Sequence, residues 1–308
     1  NILVSLDTNG ATGITLGING GTNANASTWS AAAIVAYDSL ISKGWTITQN
    51  GTVTSPIITY GITNAGGVFN LRSSGTVDYE AEWGDGNAEV STLTTLQHTY
   101  AAAGDYSVVV YSDGVYRPYL NDVTADVTQI TSVAIGSGAV LGTSLDRAWR
   151  GASNMTTFTC SFDATSSVTN VDRAWQNCSS LTSFPLIDTS SGTSFFETWR
   201  GCSSLTSFPE LNTSSGTNFN YAWRGCSSLT SFPELNTSSG TNFTSAWYNC
   251  NSLISFPLLN TSSGTTFYET WRGCNSLTSF PLIDTSSVTS FDRAWQNCSS
   301  LTSFPLID

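Results

Sequence analysis

From Trp149 onward the apolar residues recur on a fixed period. Tryptophans stand at Trp149, Trp175, Trp199, Trp223, Trp247, Trp271 and Trp295, one step of 26 residues followed by five of 24. The same apolar set returns around each, in one copy Phe195, Trp199, Cys202, Leu205 and Phe208. A unit of this size cannot bury its own apolar face and must stack on its neighbours. Phe195, Trp199 and Cys202 are spaced four and three apart, as on one face of a helix. Ser194 and Glu197 have the form of a capping box. Each copy is therefore predicted to be an extended segment (Leu181 to Ile187 in one), a Thr-Ser-Ser-Gly turn and a short helix. Pro185, Pro209, Pro233, Pro257 and Pro281 remove a ladder donor at the same place in each copy, so the strand should be short.

Ahead of the repeats the pattern changes twice. In residues 1–54, Ile2 to Leu6, Ile14 to Ile18 and Trp45 to Thr48 read as strands. Between them Ala33, Ile34, Tyr37, Leu40 and Ile41 mark the buried face of a helix from Ser30 to Ser42, stopped by Gly44. Asp7-Thr8-Asn9-Gly10 has the opening oxygens of a calcium loop, but Ile18 occupies the place of the closing acid, so it reads as a turn. In residues 55–125, Ile57 to Tyr60, Val68 to Leu71, Val77 to Trp83 and Tyr106 to Tyr111 alternate as strands at hairpin spacing and predict an all-β sandwich.

Three stretches resemble known families. Gly44-Trp45-Thr46-Ile47, after its helix, resembles the terminal cap of leucine-rich arrays of bacterial surface proteins. Trp83-Gly84-Asp85-Gly86 and His98-Thr99-Tyr100, followed by Gly104-Asp105-Tyr106, resemble the two signatures of PKD-type domains. There the Asp shapes a turn and the Tyr fills the core, so the resemblance implies a structural role for His98. Phe162-Asp163 followed by Thr165-Ser166-Ser167-Val168-Thr169, and Gly225-Cys226-Ser227-Ser228-Leu229-Thr230-Ser231, resemble the BspA-type leucine-rich repeat over residues 126–308. Trp stands where that family has Phe, and most copies have 24 residues rather than 26. The resemblances together imply a leucine-rich-repeat-type solenoid with a strand and a short helix per coil, a PKD-like sandwich and a small α/β cap-like unit. They also imply a secreted or surface-displayed, adhesive, non-catalytic protein.

Composition narrows the partners. The chain has 308 residues, 40% hydrophobic and 10% charged, with a net charge of −12. It has one Lys, nine Arg and one His. That leaves no basic stripe for a phosphate backbone, so nucleic acid is not an expected partner. No apolar run is long enough to span a membrane. The abundance of Thr, Ser, Asn and Gly suits an exported or virion protein. Of seven cysteines, Cys178, Cys202, Cys226, Cys250, Cys274 and Cys298 hold one repeat position and read as buried free thiols filling small apolar spaces. Asp78, Glu80 and Glu82 alternate along one strand and read as a solvated face. No catalytic residue, cofactor or metal ligand is expected.

Two surfaces are candidates. The positions beside each Trp vary from copy to copy and should be exposed. They give Phe196, Arg200, Tyr221, Arg224, Tyr248, Tyr268 and Arg272, an Arg and aromatic face suited to a glycan or a cell-surface protein. The sequence stops halfway through a copy at Asp308. Leu301, Phe304 and Leu306 are therefore expected to meet Ile2, Leu3 and Leu6 of a second copy, giving a head-to-tail filament.

Overall fold

The structure is a computed structural model that describes residues 15–18, 46–49, 57–73, 79–91, 93–112, 115–120 and 126–305, the first two segments as backbone only. In the first unit, β1 (Thr15–Ile18) and β2 (Thr46–Gln49) pair in parallel, Thr15 opposite Thr46. The helix expected from Ser30 to Ser42 and the turn at Asp7 lie outside the described residues.

Next come β3 (Ile58–Arg72), β4 (Tyr79–Glu82), β5 (Ala88–Ser91), β6 (Thr95–Ser112), β7 (Ile130–Ile135) and β8 (Thr157–Cys160). They form one mixed sheet in the order β5-β4-β6-β3-β7-β8. All pairs are antiparallel except β7 with β8. This replaces the expected PKD-like sandwich of two sheets. The physical reason is β3, where the two strands predicted at Ile57 and Val68 are a single strand of 15 residues. It pairs with β6 almost throughout, with a bulge between Ala65 and Gly67. Glycines that look like a hairpin turn in sequence serve to bend one long strand.

Ile58, Tyr60 and Ile62 alternate into the core from β3. Their cover comes from the following chain. The Tyr116 amide donates to the Val140 carbonyl at 2.9 Å and the Leu120 amide to Ala148 at 3.0 Å. One apolar core runs on from Ile57 through the sheet and along the repeats to Ala294.

The repeats stack as parallel coils. Bridges join Ser144, Asn170, Ser194, Asn218, Asn242, Thr266 and Ser290 in sequence. Inside them run three columns of rings. Trp199 and Trp223 are stacked at 5.4 Å, Phe184 and Phe208 at 5.9 Å, and Phe195 and Phe219 at 5.3 Å. Each Trp also lies edge to face with the Phe nine residues on, as Trp199 does with Phe208 at 4.8 Å. Such pairs add to the area each ring buries, about 150–250 Å².

The leucine-rich-repeat-type solenoid, with its short helix in every coil, is overturned. Among the described residues there is no α-helix, only 3-10 turns at Val127–Gln129 and Phe162–Thr165. Two observations explain the difference. Glu197, Tyr221, Ser245 and Glu269, in the middle of the expected helices, have φ between 51° and 58°, which no right-handed helix admits. Alternate amides also leave the coil. Those of Phe195, Glu197, Trp199 and Gly201 donate to Asn218, Asn220, Ala222 and Arg224 of the next coil at 2.7–3.0 Å, while Thr198, Arg200 and Cys202 donate three residues back. The backbone groups a helix would satisfy internally are thus satisfied by the neighbouring coil. On the far side the bridges stay isolated, as at Ser255, Ser279 and Ser303, where proline follows two residues later in each coil.

The cysteine column is buried from Cys178 to Cys274, every described Cys is free, and each thiol of the column donates to the carbonyl of the Trp one coil back, Cys202 to Trp175 at 3.2 Å. Burial pushes the Cys202 thiol up to about 12 and its buried neighbours well above the ordinary thiol value. At pH 8 the five buried thiols should therefore resist a disulfide reagent in the native protein and react once it is unfolded. Fast native labelling at any position besides Cys160 and Cys298 would contradict this packing.

Candidate interaction surface

The seven residues of the candidate binding face come together along one side of the coils, where their rings and guanidinium groups alternate. The Arg173 guanidinium lies 4.4 Å over the Phe196 ring. Arg200 and Arg224 lie 5.9 and 5.2 Å from the Tyr221 ring. Arg224 and Arg272 lie 4.4 and 5.5 Å from the Tyr248 ring. Tyr268 closes the row by accepting a hydrogen bond at its hydroxyl from Arg293 at 3.1 Å. The cause is the stacking itself, which sets flat groups a coil apart on one another; each such contact contributes about 0.5–1 kcal/mol at exposed sites.

The expectation of an exposed face is corrected by this stacking. Phe196, Arg200, Tyr221, Arg224, Tyr248, Tyr268 and Arg272 are all half-buried. Asp172, Asn220 and Thr244, which hold the same variable position as Phe196 in other coils, are half-buried too, whereas Asp292 at that position is exposed as expected.

The sequence reading missed the acids that order this face. Glu197 is not the second half of a capping box. Its carboxylate accepts from Arg173 and Gln176 at 2.9 and 3.0 Å and from Arg200. Burial alone would raise its pKa, but the hydrogen bonds from Arg200 and Arg173 hold it below the ordinary Glu value. Glu269 repeats the pairing with Arg272. The signal was present as Glu two residues before Trp and Arg one after it, in two copies. Arg224, with Tyr221 in place of that Glu, makes no ion pair among the described residues.

His98 is placed away from this face. It is buried, stacked on Trp83 at 4.8 Å, with Nε2 at 2.8 Å from Asp85 and Nδ1 at 3.3 Å from Glu89. Burial by itself would raise the Asp85 pKa, but hydrogen bonds from His98 and Asn87 hold it below the usual carboxylate range. Nearby, the Tyr100 hydroxyl donates to the Trp83 carbonyl at 2.8 Å. Glu80 and Glu82 are half-buried on one side of β4, with Tyr79 and Ala81 buried on the other; Asp78 lies outside the described residues.

Of the residues expected to join copies end to end, Ile2, Leu3, Leu6 and Leu306 lie outside the described residues. Leu301 is half-buried, and Phe304 is 40% exposed, stacked on Phe280 at 5.6 Å.

No protein-family model, curated protein or solved structure matches this chain. No described helix is long and apolar enough to cross a membrane.

Proposed function

We propose that the chain is a structural, adhesive protein of an extracellular, cell or virion surface that assembles with copies of itself. The observation that carries this reading is the repeated coil, whose faces are made to receive another coil of the same kind. Every internal coil face is covered by matching Trp, Phe and Cys columns and by a ladder of amides. A coil face of this composition suits contact with a coil of a second copy, a heterologous arrangement that extends rather than closes. Electron microscopy and sedimentation of the purified chain test the reading. Ordered polymers are expected, and a monodisperse monomer at every concentration would overturn it.

A second reading is favoured by Arg224. Its guanidinium is held between two tyrosine rings without an ion pair among the described residues, an arrangement that suits a carboxylate-bearing glycan whose sugar lies on the rings. Binding on a glycan array that disappears with Arg224→Ala and Tyr248→Ala would favour it.

A further inference from the structure

Resting on the self-association proposed above, we propose that the coils also associate side by side. The column of Arg200, Arg224 and Tyr248 would pack against the column of Glu210, Glu234 and Leu258 of a second copy, parallel and in the same register.

The two columns leave the coil on different sides. Trp199 and Phe208 meet inside it at 4.8 Å. Arg200 follows Trp199 and is half-buried, while Glu210 stands exposed between the inward residues Phe208 and Leu211. The same relation holds one coil on for Arg224 and Glu234, and again for Tyr248 and Leu258, which is 57% exposed.

The match runs coil by coil. The two coils that carry an acid in the second column carry Arg in the first, and the next coil carries an apolar residue opposite an aromatic one. The parallel bridges Ser194 to Asn218 to Asn242 keep these coils in equal register. Both columns therefore advance by the same step, about 4.8 Å per coil. A copy laid alongside in the same direction meets all three matches together, and a copy shifted by one coil sets Arg224 or Tyr248 against the wrong partner.

In the Arg224 and Glu234 pair both charges are free to serve. Among the described residues Arg224, Glu210 and Glu234 make no ion pair; Arg200 is already paired with Glu197, as Arg272, whose coil carries Leu282 in the second column, is with Glu269. One exposed pair contributes little. A repeated set framed by apolar contact fixes register and rejects misaligned copies. The chain's charge of −12 makes unspecific approach of two copies unfavourable, so such a contact must use its few cations in place.

The test is a charge exchange between copies. Glu234→Arg places Arg against Arg224, and Arg224→Glu places Glu against Glu234, so each variant alone should assemble laterally only at a concentration at least ~10-fold higher than the parent chain. A 1:1 mixture of the two should recover assembly near the parent concentration, because each copy then meets a complementary column on both sides. Thermal unfolding of the separate variants checks that each remains folded. Wide ribbons seen by electron microscopy with the parent chain, lost in each variant and restored in the mixture, are the expected result. Lateral assembly unaffected by either variant, or only single-file filaments from the parent chain, overturns this inference and leaves self-association standing. A parent chain that stays monomeric overturns both.

Discussion

Replacing Trp223 by Ala should lower the free energy of unfolding by about 3–5 kcal/mol, the range for removing a large buried aromatic. Trp223 is fully buried between Trp199 and Trp247 at 5.4 and 5.2 Å and touches Phe208, Phe219 and Phe232. The adjoining coils share these contacts, so the cavity weakens two coil interfaces, and in a stack with nearest-neighbour coupling the damage should spread to both. Amide exchange should accelerate on both sides of the substituted coil. Trp223→Phe should cost less than the Ala change, because it keeps a ring in the stack and leaves a smaller cavity, while both variants remove an indole N–H that is buried without an oxygen or nitrogen partner. Urea unfolding of the two variants measures both, and a Trp223→Ala loss below about 1 kcal/mol would contradict the shared spine.

Gly84→Ala should be the most costly glycine replacement in the sheet. Gly84 has φ of +78°, and an added Cβ would stand 2.7 Å from the Ser107 carbonyl oxygen and 2.8 Å from its amide nitrogen. These are backbone atoms of β6, so relief requires moving a paired strand. The left-handed conformation costs about 1–2 kcal/mol and the overpacking about 1–3 kcal/mol. Gly86 provides the internal control. Its φ of +91° is also left-handed, but a Cβ there meets nothing within 4 Å. Thermal unfolding should therefore place Gly86→Ala between the parent chain and Gly84→Ala. Equal melting temperatures for the two variants would show that the approach to Ser107 does not limit this site.

The period of the coils and the identity of the inward residues could be read from spacing, because each Trp sits in the same place in its copy. The backbone that turns them inward could not. Phe195, Trp199 and Cys202 have helical spacing, yet they point inward through a chain that turns to positive φ at Glu197 and again at Gly201, and Glu197 or Tyr221 gives no local sign of that conformation. What selects it is the ladder to the next coil, which appears only when two coils are set together. The sheet was misread for a similar reason. Gly66 and Gly67 carry turn chemistry, and only the pairing of β3 with β6 makes them a bulge. On the candidate face the rings and cations were legible, whereas Glu197 was assigned to Ser194 by its i+3 spacing and belongs to Arg200 and Arg173.

The amides of Phe195, Glu197, Trp199 and Gly201 all point toward the following coil, and the carbonyls they meet all point back. Along this edge the peptide dipoles add instead of cancelling, so the array carries an arrow. One face of each coil offers hydrogen-bond donors at this edge and the other offers acceptors. Two faces of the same kind turned toward each other would set donor against donor. A two-fold end contact is therefore disfavoured along this edge, and any coil added to the stack must arrive pointing the same way as the last.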